Sequence, residues 1–82
     1  MRFEFNTGDL VILNNKPSSY MMSKKAPWDD GIISIITKKR FYNLYEEGVW
    51  YYTVHGSDGK IYHSVEAHQL KLLANWIRPF QL

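Results

Sequence analysis

An all-β fold is predicted by three features of this sequence of 82 residues. Short runs rich in β-branched and aromatic residues alternate with turn residues. Residues 49–56 and 60–64 flank Ser57, Asp58 and Gly59, where reversal is easy because glycine adopts a positive φ without strain. The aromatic fraction of 16% supplies side chains that fill a small interior. These features predict a single domain, a small barrel of five to six strands with a long loop after strand one and a short C-terminal extension.

The first half of the chain is predicted to contain two strands and the long loop between them. Four aliphatic residues at 10–13 form the first strand, and the segment around Pro17 ends it because proline has no N–H donor. Residues 14–30 show no periodicity, which is typical of a functional or disordered loop. Residues 32–37 carry isoleucine on both faces, so this strand is expected at the centre of the sheet.

The second half is predicted to complete the barrel. The cations at residues 38–40 are expected to mark the exit from the central strand, and residues 41–45 form a loop or a strand extension. The hairpin follows, then one short helical turn at residues 65–69 and a final strand at residues 70–73. Residues 74–82 are an aromatic tail beyond the minimal barrel.

Several of these strand starts and turns resemble those of a known group of folds. They are Gly8-Asp9-Leu10-Val11, Gly31-Ile32-Ile33, Tyr52-Thr53-Val54, Asp58-Gly59 and His68-Gln69-Leu70. With the long loop, they resemble the SH3-like small barrels, which include KOW-type and Tudor-like modules, small accessory subunits of photosynthetic electron transfer and short uncharacterised phage proteins. The resemblance covers roughly residues 7–73. It implies binding of peptides, proteins or nucleic acid by a small bacterial or phage accessory protein.

Charge and composition restrict the location and the class of partner. The formal net charge is only +2, so charge alone does not indicate nucleic acid. The chain has no cysteine and therefore no disulfide or thiolate metal site. Its longest apolar run, residues 31–36, is too short to span a bilayer, and the N-terminal residues lack a signal-peptide pattern. We expect a cytoplasmic protein without a membrane partner, located in the host cytoplasm or the virion if phage-encoded.

Catalysis is not indicated by any motif, so we assign no catalytic residue, no metal and no cofactor. The histidines are His55, His63 and His68. A three-residue hairpin loop places His55 and His63 on one face, whereas a two-residue loop places them on opposite faces. The adjacent carboxylates Asp29 and Asp30 are interpreted as part of a solvated turn.

The favoured function is a non-catalytic module that binds a protein partner. The long loop carries side chains of the kind that anchor interfaces: Tyr20, Met21, Met22 and Trp28. The same composition also suits rings that fold back and close one end of the barrel.

The C-terminal tail is the second predicted contact. Leu73, Trp76, Ile77 and Phe80 have helical i, i+3, i+4, i+7 spacing, and Pro79 limits the helix to a turn or two. This apolar stripe either packs on the barrel in cis or docks on a partner or a second copy.

The alternative function is nucleic-acid binding by cations that contact phosphates and by rings that stack on bases. The residues assigned to it are Lys24, Lys25, Lys38, Lys39, Arg40 and Tyr42, with Phe41 as a neighbouring ring. Steep salt dependence distinguishes this function from protein binding through aromatic anchors.

Overall fold

The computed structural model describes residues 5–18, 25–44 and 47–74. Within them the chain is all-β, as the sequence predicts, with one 3-10 turn at Ala67–Gln69. The strands in chain order are β1 (Leu10–Leu13), β2 (Ile32–Leu44), β3 (Glu47–Gly56), β4 (Ile61–Glu66) and β5 (Leu70–Ala74). No helix in these described ranges has the length and apolarity needed to cross a membrane.

The five strands form one antiparallel sheet in the order β4-β3-β2-β1-β5. β2 occupies the centre of the sheet, which confirms the position that its isoleucines predict. β4 and β5 are the two edges, and among the described residues no ladder joins them. The all-β class and a strand count of five are therefore confirmed, whereas the sheet is not closed into the predicted barrel.

β2 is much longer than the sequence indicates, and the expectation that residues 38–40 leave this strand is wrong. The register with β3 shifts between Ile36 and Lys38, and pairing then resumes and continues to Leu44. The shift leaves Thr37 as an extra residue, a β-bulge that bends the strand and increases its twist without ending it. β2 and β3 therefore form a long two-stranded ribbon, and residues 41–44 are the strand extension considered from the sequence.

The core lies on one face of the sheet. Side chains alternate between the two faces along each strand, so every second residue of a strand points into this core. The buried apolar residues are Phe5, Val11, Leu13, Trp28, Ile36, Tyr52, Val54, Val65 and Leu70. Tyr52 has no exposed surface, and its ring packs edge-on against Phe5 with the ring centres 5.5 Å apart. The Tyr52 hydroxyl accepts a hydrogen bond of 3.0 Å from the Phe5 backbone N–H. This pair ties the segment before β1 to the middle of β3.

The long loop between β1 and β2 is attached to the 3-10 turn at its first residues. The Asn14 N–H donates to the Gln69 carbonyl at 3.0 Å, and the buried Gln69 amide donates to the Lys16 carbonyl at 2.9 Å. Near the other end of the loop, the Trp28 indole N–H donates to the Asn14 carbonyl at 2.6 Å. Trp28 is only 8% exposed and belongs to the core. Its ring therefore lies in the core and not on the surface.

The β3–β4 hairpin has the three-residue loop that is one of the two registers considered from the sequence. The Gly56 N–H donates to the Lys60 carbonyl at 2.8 Å, and Gly59 has a φ of +83°. The Asp58 carboxylate accepts hydrogen bonds from the Tyr62 hydroxyl and from the Lys60 N–H, and these bonds lower the pKa of Asp58. The bond to Asp58 in turn raises the pKa of Tyr62 to about 12.

Candidate nucleic-acid interface

The run of three cations is divided between the two faces of the ribbon. Lys39 pairs with buried Tyr52, so Lys39 lies on the face that continues the core. Lys38 and Arg40 pair with Thr53 and Tyr51 and lie on the opposite face. Because the three cations lie in a strand and not in a loop, they do not form one continuous charged patch.

The face opposite the core carries an open groove of about 640 Å³. Residues from the segment before β1 and from β2, β3 and β4 line it: Thr7, Thr37, Lys38, Lys39, Arg40, Tyr42, Tyr51, Tyr52, Thr53, His63 and Ser64. The structure thus brings three of the residues predicted for nucleic-acid binding, Lys38, Arg40 and Tyr42, to this face, and Lys39 adds to the groove lining from the other side of the ribbon. The sequence interpretation missed Tyr51, Thr53 and His63, although the alternation along β3 places Tyr51 and Thr53 together on the face opposite buried Tyr52 and Val54.

Arg40 and the tyrosines form an ordered cluster in the groove. The Arg40 guanidinium donates to the Tyr42 hydroxyl at 3.0 Å and lies 6.0 Å from the centre of that ring. This hydrogen bond raises the pKa of Arg40, which is charged at any physiological pH. The rings of Tyr42 and Tyr51 are 5.4 Å apart and meet at 77°. The cluster places a cation and two aromatic rings next to each other, and the Tyr42 ring is 41% exposed.

The other face of the ribbon has its own cation and aromatic rings. The Lys39 ammonium lies 5.0 Å from the centre of the Trp50 ring and donates to the Asn6 side chain at 3.2 Å. Phe41 packs on Trp50 with the ring centres 5.0 Å apart. The Phe41 ring also covers Gly48 so closely that a Cβ there would overlap it. These contacts occupy Lys39 on this face and direct it away from Lys38 and Arg40.

A β-bulge in β4 shapes the edge of the groove. Between two paired positions β3 has one residue, Thr53, and β4 has two, His63 and Ser64. The His63 ring nitrogen Nδ1 lies 3.4 Å from the Thr53 hydroxyl. Ser64 has a φ of +56°, a conformation that is strained for a residue with a Cβ. His63 and Ser64, the two residues of the bulge, also line a second cavity.

The second cavity, of about 260 Å³, lies between β4 and the two ends of the long loop that the structure describes. Its lining combines small, apolar and polar residues: Ser18, Lys25, Ala26, Pro27, Trp28, His63, Ser64 and Gln69. His63 and Ser64 line both cavities. Lys25, a further residue predicted for nucleic-acid binding, therefore lines a cavity that shares two lining residues with the groove.

Most residues predicted for protein binding cannot be placed against this surface. Tyr20, Met21, Met22, Trp76 and Phe80 lie outside the described residues, as does Lys24 of the nucleic-acid set. Trp28 is described and buried, so its ring is not on the surface as an exposed anchor would be. Binding of a protein by this set stays a prediction.

Exposed aliphatic side chains form a separate region on the face opposite the core. Leu10, Ile35, His55 and Ile61 lie in one row across four strands, because each pairs with the next. Ile33 lies one step from this row on β2, and the four aliphatic residues are 38% to 52% exposed. The face therefore has an apolar half, beside the groove that carries the cations and tyrosines.

The three-residue loop places His55 and His63 on the same face, as the sequence interpretation of that register requires. His68 lies elsewhere, with its Nε2 atom 2.8 Å from the Pro17 carbonyl oxygen. Within the described ranges no three histidine, aspartate or glutamate side chains are grouped as metal ligands would be.

No protein-family model, curated protein or solved structure is significantly similar to this chain. The functional proposal therefore depends on the chain's own residues and their geometry.

Proposed function

We propose that this chain is a non-catalytic binding module and that its groove binds single-stranded nucleic acid. The observation that carries the proposal is the placement of Lys38, Arg40, Tyr42 and Tyr51 along one open groove. Of the two functions considered from the sequence, nucleic-acid binding is the one whose residues come together in the described part of the chain.

The chemistry of the groove suits a flexible polyanion. Lys38 and Arg40 are two positions apart on one strand, about 7 Å, which is close to the separation of neighbouring phosphates in an extended single strand. The exposed Tyr42 ring offers a stacking surface that a base can reach only when it is unpaired. The ordered Arg40 side chain loses little rotamer freedom on binding, since the Tyr42 hydroxyl already holds it.

The test is the affinity of a fluorescent oligothymidylate for the wild type and for a charge-reversed variant, measured by anisotropy in 50 and 200 mM salt. Lys38→Glu with Arg40→Glu removes both phosphate contacts. Lys16→Glu with Lys71→Glu is the matched control, because it also changes the formal net charge from +2 to −2 at positions that do not line the groove.

The wild type is expected to bind more weakly at the higher salt, with a slope of about −1.4 in log affinity against log salt for two contacts to a single strand. The Lys38/Arg40 variant should lose binding, and the control should keep most of it. Equal losses of affinity in the two variants would show that binding depends only on net charge and not on the groove. An absence of wild-type binding would refute the proposal.

Protein binding is the second candidate function, and the exposed aliphatic row favours it. Apolar patches of several large side chains on one face are often interaction sites. A protein bound to Leu10, Ile33, Ile35 and Ile61 would be nearly insensitive to salt. Ile33→Ser with Ile35→Ser should weaken such a complex, and it should leave oligonucleotide affinity unchanged.

The fold family and location stay predictions. The order of the five strands and the long loop after β1 support an SH3-like module. A nucleic-acid ligand would suit the cytoplasmic location and the small phage or bacterial accessory role expected from the sequence.

A further inference from the structure

We infer that the bound strand extends from the groove across the β4 bulge into the second cavity, where one base is enclosed and Lys25 contacts a phosphate. This inference rests on the proposed function of the groove. It adds a second subsite and therefore a minimum ligand length.

The groove and the second cavity lie next to each other at the β4 bulge. His63 and Ser64 line both, so only these two residues of the bulge stand between them. A ligand that leaves Thr53 along β4 reaches these two residues first and the cavity next.

The β4 bulge has a form that is typical of binding sites. Bulges occur often at binding sites, because the extra residue redirects side chains. Here the bulge coincides with a left-handed serine, a conformation that is usually strained and is concentrated at functional sites. Ser64 is exposed and lies at the junction of the cavities, where its hydroxyl can contact a sugar or phosphate.

The second cavity has the size and the chemistry to hold one base. Its volume of about 260 Å³ is large enough for one base, and Ala26, Pro27 and the Trp28 ring supply an apolar lining. The buried Gln69 side chain is already bonded to the Glu66 N–H and the Lys16 carbonyl, so it is a fixed part of the wall. Lys25 is exposed at this cavity, where a phosphate next to the enclosed base would lie.

Length dependence tests the inference. The probes are 5′-phosphorylated oligothymidylates of two, four and eight nucleotides, which bracket a site size of about four for a small β module. Affinity is measured for the wild type, Arg40→Ala, Lys25→Ala and Lys71→Ala. Lys71→Ala is the matched control, because it also removes one lysine but from a strand that lines neither cavity.

Lys25→Ala should weaken the eight-nucleotide probe about two- to fivefold at low salt, as expected for one exposed ion contact. It should also reduce the salt slope for this probe by about 0.7, and it should leave the two-nucleotide probe unchanged. Arg40→Ala should weaken all lengths, and Lys71→Ala should weaken none. In nitrogen-15 NMR spectra, the Trp28 indole signal should shift with the eight-nucleotide probe and not with the two-nucleotide probe.

The outcomes separate this inference from the proposed function. If Arg40→Ala weakens binding while Lys25→Ala behaves like Lys71→Ala and the Trp28 signal is static, the groove binds alone and the second subsite is wrong. If Lys25→Ala weakens every length equally, Lys25 acts only through general charge and the subsite is again wrong. If the wild type binds no probe, both proposals fail.

Discussion

Removing the hydroxyl of Tyr52 should destabilise the fold strongly, although the change is only one oxygen atom. The hydroxyl accepts a 3.0 Å hydrogen bond from the Phe5 N–H in a fully buried setting. In Tyr52→Phe the edge-on ring contact with Phe5 remains, so the loss is confined to the polar contacts of the hydroxyl. A buried N–H deprived of an acceptor costs about 1–3 kcal/mol.

We therefore expect Tyr52→Phe to lower the free energy of unfolding by about 2 kcal/mol. For a domain of this size each kcal/mol corresponds to about 4–8 °C in Tm, so the melting temperature should fall by about 8–16 °C. The assay is urea and thermal unfolding followed by circular dichroism.

Tyr42→Phe is the matched control, since it removes a hydroxyl from an exposed ring and should change stability by less than about 0.5 kcal/mol. Equal stabilities of Tyr52→Phe and the wild type would mean that the segment before β1 is not tied to β3. The placement of Thr7 beside Thr53 in the groove, which depends on that attachment, would then be wrong.

Two further predictions concern the β3–β4 hairpin. Ser64→Gly should stabilise the protein by about 0.5 kcal/mol, because relief of the left-handed strain exceeds the entropy cost of glycine. Ser64→Val should instead destabilise the protein by about 1 kcal/mol or more. Urea unfolding measures both variants, and a Val variant as stable as the wild type would exclude the positive φ. The lowered pKa of Asp58 means that its carboxylate stabilises the turn above its ordinary pKa of 3.8 and that this stabilisation is lost as the pH falls through the folded pKa. Tyr62→Phe should raise the Asp58 pKa toward 3.8 in a carboxyl NMR titration, and an unchanged value would show that the Tyr62 hydroxyl does not donate to it. The Tyr62 contribution has the opposite dependence, being complete below pH 10 and lost as the pH rises through about 12.

Local turn chemistry and alternation predicted much of the sheet. The turn at Gly59, the central position of β2 and the 3-10 turn before β5 all follow from residue types that have strong local preferences. These features depend on neighbours in the chain, so the sequence is sufficient to locate them.

The candidate site was harder to predict because it depends on bulges and on pairing between distant residues. A bulge at Thr37 lets three consecutive cations remain in a strand, and alternation then separates Lys39 from its two neighbours. Lys25 and His63 line the same cavity because the end of the loop lies near β4, and no local sequence pattern encodes this placement. The burial of Trp28 likewise depends on distant partners, since its ring packs on Tyr62 and its indole N–H donates to the Asn14 carbonyl.

The most direct test of the central claim is a map of backbone amide shifts in the nitrogen-15 labelled protein titrated with an eight-nucleotide oligothymidylate. The proposed groove predicts that the largest shifts occur at Lys38, Arg40, Tyr51 and Thr53. Shifts concentrated instead at Leu10, Ile33 and Ile35, or no shifts at saturating oligonucleotide, would contradict it.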